Sequence, residues 1–150
     1  MPQFSSPWEE PKRLIPQVVS LGLDARLPPF ADPATARDYV YVDDVCDAYV
    51  LAARSVREPG AIFNIGTGVQ TTLEQVAELA RRVFDIEAQP AWGSMPSRTW
   101  DTSCWVADVS RARVELGWTP STSLEEGLRL TADWLRSHPE LENRYRVASC

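Results

Sequence analysis

The sequence predicts an α/β fold built on a thin sheet with parallel pairing. Two patterns predict it. Apolar residues recur at helical spacing in several segments, and short runs of β-branched and aromatic residues fall between those segments. The resulting order is helix, strand, helix, strand, helix, a further short strand, helix, helix. Strands that alternate with helices argue for parallel pairing. Two or three short strands are fewer than a stable sheet ordinarily has, so the expectation is a portion of something larger.

Each element has its own signal. Residues 1–11 hold three prolines and no period, and read as an extended lead-in. A helix is expected over 12–21, with Leu14, Ile15, Val18, Val19 and Leu21 on one side and Gly22 as its end. Pro16 fits there if the first turn starts near Ile15, where a missing N–H costs little. Residues 23–36 form a proline-punctuated loop, followed by a strand over 38–42. Asp43 or Asp44 is expected to cap a helix over 45–56, with Val45, Ala48, Tyr49, Ala52 and Val56 inward. Pro59-Gly60 makes a turn, residues 62–65 a short apolar strand, and Gly66-Thr67-Gly68 breaks it. Thr71-x-x-Glu74 and Thr72-x-x-Gln75 both read as capping boxes for a helix running to Phe84. A short strand over 86–92 and a tryptophan-rich loop over 93–107 come next. Asp108 caps a short helix that stops at Gly117, and Ser123-x-x-Glu126 caps the last helix, 124–137. Residues 12–138 are thus read as one domain and 139–150 as a frayed polar tail.

Composition narrows the chemistry. With 150 residues and 44% hydrophobic content, the chain can bury a real core. A net charge of −6 argues against nucleic acid and against an anionic membrane surface as partners. No apolar run approaches a membrane span and the first residues do not resemble a secretion signal, so a cytoplasmic location is expected. Lys12 is the only lysine, which excludes a P-loop and any Schiff base elsewhere. Cys46, Cys104 and Cys150 form no C-x-x-C pair, and the single histidine, His138, reads as a solvated helix end, so no metal site is expected.

A few residues invite a chemical reading. Arg37, at the start of a buried strand, either pairs with a neighbouring carboxylate or faces a cleft, where its planar fork suits phosphate. Arg98 lies in a loop beside Trp100 and Asp101 and is either an exposed stacked cation or a second anion clamp. Gly66-x-Gly68 sits between a strand and a helix, the context of a phosphate-binding turn. Its third glycine is missing, which favours a plain tight turn. Trp118 reads as core, while Trp100 and Trp105 are open to stacking. Asp43 and Asp44 read as first-turn acids rather than a catalytic dyad.

Arg37-Asp38-Tyr39-Val40-Tyr41-Val42-Asp43-Asp44-Val45, Phe63-Asn64-Ile65-Gly66-Thr67-Gly68, Leu116-Gly117-Trp118-Thr119-Pro120 and Leu124-Glu125-Glu126-Gly127-Leu128 together resemble the C-terminal half of the extended short-chain dehydrogenase/reductase family. More narrowly they are similar to NAD-dependent nucleotide-sugar epimerases and dehydratases, such as UDP-galactose 4-epimerase and dTDP-glucose 4,6-dehydratase. The opening Pro7-Trp8-Glu9-Glu10-Pro11-Lys12-Arg13-Leu14-Ile15-Pro16 matches the segment after the sixth strand of that fold. The resemblance implies the edge of a Rossmann sheet plus a small substrate-binding lobe. It places Leu14, Ile15 and Pro16 where relatives line the base, and Arg37 and Arg98 where relatives hold the diphosphate. It places Asn64 at the strand-end turn beside the nucleotide, and Asp101 and Trp105 in the substrate-facing loop of Arg98.

The departures are as informative. The fingerprint G-x-x-G-x-x-G that seats NAD or NADP is absent, and no Tyr-x-x-x-Lys pair can be written, because Trp8 stands four residues before Lys12. No catalytic residue, cofactor-binding residue or metal ligand is therefore assigned to this chain. The expected function is the nucleotide-sugar-binding portion of such an enzyme, truncated and unable to do hydride chemistry alone. It would act as a homo-oligomer or with a complementary chain. The alternative is a stand-alone binding or oligomerisation module derived from the family. A third option, unrelated chemistry on Asp38, Asp43, Asp44 or Asp101, has nothing in the sequence to select it.

Overall fold

The computed structural model describes residues 3–56, 58–93 and 105–147. Strand β1 (Gln3–Ser5) pairs in parallel with β3 (Tyr39–Tyr41), with Phe4 opposite Val40. Strand β2 (Ala36–Arg37) pairs antiparallel with β4 (Thr71–Thr72), with Arg37 opposite Thr71. Helices α1 (Leu14–Gly22), α2 (Val42–Ser55), α3 (Leu73–Phe84), α4 (Leu124–Ser137) and α5 (Pro139–Val147) surround these pairs. A five-residue π-helical turn, Ala112–Leu116, completes the set.

Two cores flank β3, because successive strand residues point to opposite faces. Tyr39 joins Ile15, Val18, Val19, Phe30, Leu73, Val76, Ala77, Ala80, Leu128 and Ala132 under α1, α3 and α4. Val40 joins Val45, Ala48, Ala112, Leu116 and Trp118 on the other side. Pro16 falls in the first turn of α1, where proline is tolerated. Of the two possible capping boxes, Thr72 and Gln75 form the real one, with both reciprocal bonds present and Thr72 as the N-cap of α3. Ser123 caps α4 by accepting from the Glu126 N–H at 3.2 Å. Asp108 accepts from the Ser110 N–H at 3.0 Å, and Gly117 closes the π turn in the left-handed region at φ 65°.

Several expectations need correction. Helix α2 begins at Val42, with Tyr41 as its N-cap and no side-chain cap. Asp44 cannot cap because its carboxylate is held by Ser121 and Thr122. Tyr49 points outward at 73% exposure. It follows Ala48 directly and so lies about 100° around the helix from the buried stripe. Residues 62–65 form no strand, since no ladder partner lies beside them among the described residues. Residues 86–92 form none either, although Phe30 N–H donates to Ala91 O and Gly93 N–H to Ala31 O. The lead-in carries β1, and the expected tail is helix α5, anchored by buried Tyr145. The Tyr145 hydroxyl donates to the carbonyl oxygen of Pro7.

Candidate functional site

The candidate site forms where β2 ends. Arg37 is buried at 6% exposure although it carries a full charge, and its Nη1 donates to Ala36 O at 2.7 Å. The following residue, Asp38, is wholly buried between β2 and β3. Its Oδ1 accepts from the Thr67 N–H at 2.8 Å and the Thr67 hydroxyl at 2.5 Å. Its Oδ2 accepts from the Gly68 N–H at 3.0 Å and the Ala107 N–H at 3.1 Å. Four donors make this burial tolerable, since an ionised carboxylate without partners would be costly.

Those bonds gather three distant segments. The Gly66-Thr67-Gly68 turn folds onto Asp38 so closely that a Cβ at Gly66 would lie 2.6 Å from Asp38 Oδ2 and 2.8 Å from the Ala107 side chain. The 105–107 segment lies along β2, with Trp105 N–H donating to Ala36 O at 3.3 Å. Asn64 Nδ2 donates to Asp108 O at 3.3 Å, tying the approach to the turn to the same segment. Arg37, Asn64 and Trp105 are thus held around one framework, and Trp105 keeps 43% of its surface. Arg98 and Asp101 lie outside the described residues. In the stretch expected to line the base, Ile15 and Pro16 are buried, with Ile15 in the first core, and Leu14 packs half-buried against that core.

The glycine turn is a tight turn whose amides face inward. In a phosphate-binding loop such N–H groups point at the ligand. Here the Thr67 and Gly68 amides point at Asp38. Sequence reasoning missed this clamp. Its signal was an acid inside an apolar strand, which needs donors, together with a turn whose amides need an acceptor.

Two further polar assemblies were not anticipated. Asp44 fastens the 118–122 connector: its carboxylate accepts from Ser121 N–H, the Ser121 hydroxyl and Thr122 N–H, and its carbonyl accepts from Trp118 Nε1 at 2.9 Å. Burial alone would raise the Asp44 carboxyl, but the bonds from Ser121 and Thr122 together outweigh it and hold the group below its ordinary value. The second assembly lies between the lead-in and β3. Burial pushes Glu9 up to about 7, with Arg13 partly opposing. Burial likewise raises the Tyr39 hydroxyl, with Arg37 lowering and Glu9 raising it. Glu9 Oε2 and Tyr39 Oη have no hydrogen-bond partner among the described residues. His138 stacks on Trp134 at 4.4 Å, and Trp134 in turn meets Trp8 edge-on at 5.0 Å. Among the described residues, no cluster of His, Cys, Asp and Glu could hold a metal ion, and no helix is long and apolar enough to cross a membrane.

This framework has counterparts in known proteins. The profile of the family described as GDP-mannose 4,6 dehydratase matches residues 5–131. The UDP-glucose 4-epimerase of Mycolicibacterium smegmatis is 36% identical over 108 residues, covering 72% of this chain and 34% of that protein. The crystal structure of UDP-glucose 4-epimerase from Thermotoga maritima with UDP-glucose superposes with a TM-score of 0.75 at 31% identity, over 91% of this chain and 44% of that one. The Bordetella bronchiseptica enzyme WbmF, solved with NAD+, superposes at 0.72 with 25% identity, over 90% of this chain and 40% of that one. The chain spans between 20% and 40% of the length of the curated relatives it matches.

Proposed function

Because the chain belongs to the GDP-mannose 4,6-dehydratase family of NAD-dependent nucleotide-sugar epimerases and dehydratases, within the extended short-chain dehydrogenases, we propose that it is the nucleotide-sugar-binding part of such an enzyme. The observation that carries this reading is Arg37. A buried guanidinium at a strand end, within a framework that also holds Asn64 and a half-open Trp105, suits a diphosphate joined to a base and a sugar. Arg98, three residues before Asp101 in the sequence, would supply the second cation. Leu14 would offer apolar surface to the base.

NAD, when bound by such an enzyme, accepts and returns a hydride. The described residues do not fit it. The glycine turn ahead of α3 has the amides of Thr67 and Gly68 taken by Asp38, and no Tyr-x-x-x-Lys pair exists in the chain. Hydride chemistry is therefore not assigned to these residues, which we read as holding the nucleotide-sugar. Calorimetry tests both halves of the reading. UDP-glucose or dTDP-glucose should bind, Arg37→Ala should remove that binding, and NAD should give no heat. Tight NAD binding, or nucleotide-sugar binding indifferent to Arg37→Ala, refutes it.

A second reading, an association module, draws on exposed apolar surface. Tyr49, Ile62 and Val114 are 73%, 78% and 82% exposed. They lie on neighbouring segments, since α2 packs on the π turn and Arg111 Nη1 donates to Ile62 O. Self-association by sedimentation, with no thermal shift from any nucleotide-sugar, favours this reading over the first.

A further inference from the structure

We propose that Asp38 is the positioning residue of the anion site: a fixed internal carboxylate that takes the place a phosphate would fill in the Gly66–Gly68 turn and thereby holds Arg37 at the diphosphate. The proposal rests on the nucleotide-sugar reading and goes beyond it in naming what orders the site.

Three observations carry it. The donors that Asp38 collects (two adjacent turn amides, the Thr67 hydroxyl and the Ala107 amide) form the kind of concave N–H cluster that binds oxyanions. The cluster is closed to outside anions, because Asp38 is wholly buried and Gly66 leaves no room for even a Cβ. Arg37 and Asp38 are consecutive, so any shift of the carboxylate moves the peptide that carries the guanidinium. The same bonds bring the 105–107 segment onto β2, where Trp105 N–H meets Ala36 O. One carboxylate thus sets the mutual position of a cation, a turn and an aromatic side chain drawn from residues 37, 67 and 105. An amide in place of the carboxylate would keep the size but break the pattern. It would turn an N–H₂ donor toward either the Thr67 amide and hydroxyl or the Gly68 and Ala107 amides, and each of these backbone amides can only donate.

The test compares UDP with uridine in calorimetry on the whole chain. The two probes share the base and ribose and differ in the diphosphate. In the wild type, UDP should bind more tightly than uridine. In Asp38→Asn, UDP should weaken by about tenfold or more toward the uridine level, while uridine binding stays constant. In Asp38→Gly, sodium formate should restore part of the UDP affinity, and sodium chloride at equal ionic strength should not. Near-ultraviolet circular dichroism reports whether each variant is folded. If Asp38→Asn fails to fold, Thr67→Val removes one of the four donors and should give a smaller loss confined to UDP. A folded Asp38→Asn that keeps its UDP affinity overturns the proposal, as does an equal fall for UDP and uridine. A folded Asp38→Gly indifferent to formate, or an unchanged Thr67→Val, also counts against it. A wild type that binds UDP no better than uridine refutes the anion site itself, and the positioning role falls with it.

Discussion

Replacing Glu9 by Gln should flatten the dependence of stability on pH near neutrality. Glu9 is raised from 4.5 to about 7, chiefly by burial, so the folded protein keeps a proton that the unfolded chain releases. A carboxyl raised in this way favours the folded state fully below its unfolded value. That contribution declines as pH rises toward 7 and is gone above it. The interval corresponds to about 3 kcal/mol at about 1.4 kcal/mol per pH unit. Because Glu9 retains some solvent contact, screening reduces this to about 1–2 kcal/mol. The groups facing it are Arg13 at the start of α1, Tyr39 on β3 and Tyr145 on α5. The two tyrosines are raised by burial, away from neutrality, and the arginine stays charged. His138 is present in both proteins and cancels in the difference. Urea titrations followed by tryptophan fluorescence, with Trp8 and Trp134 close by, should show wild-type stability falling between about pH 5 and 7.5 while Glu9→Gln falls less. Equal slopes for the two proteins refute the reasoning.

Three further outcomes are expected. Gly66→Ala should lower stability by about 1–3 kcal/mol, read as a drop in melting temperature, because its methyl group meets Asp38 Oδ2 and Ala107. Asp44→Asn should cost about 1–3 kcal/mol at neutral pH by leaving donors of Ser121 and Thr122 short of an acceptor. Because the Asp44 carboxyl is held below its ordinary value, its contribution is present above that value and is lost as pH falls. Wild type and variant should therefore converge in acid during denaturant titrations. Thr72→Ala should destabilise by about 1 kcal/mol and Thr72→Ser by much less, because the serine hydroxyl can still accept from Gln75 N–H.

What the sequence made legible was local. The Thr72–Gln75 box, the Ser123 cap and the closure at Gly117 depend on neighbours within a few residues, so their chemistry is written in consecutive letters. Trp118 as core was legible for the same reason: a large apolar side chain beside a helix-stopping glycine packs back on that helix. The clamp at Asp38 was not, because its donors come from 29 and 69 residues away. A tight turn with its amides facing inward has the same letters as one with them facing a ligand. The strand over 62–65 was over-read, since an apolar run states a wish to be buried but not whether a ladder partner is at hand. Tyr49 and helix α5 were misjudged in opposite senses. Tyr49 looked like core and faces outward, and α5 looked solvated and buries Tyr145.

The bond from Tyr145 to Pro7 has a consequence for the order in which the molecule is made. It closes a loop of 138 residues, and closing a flexible loop of that length costs about 4 kcal/mol in chain entropy. The cost is met only once most of the fold already brings the two segments together. On a ribosome, the segment around Pro7 emerges 138 residues before Tyr145 and gains this bond only once α5 has followed.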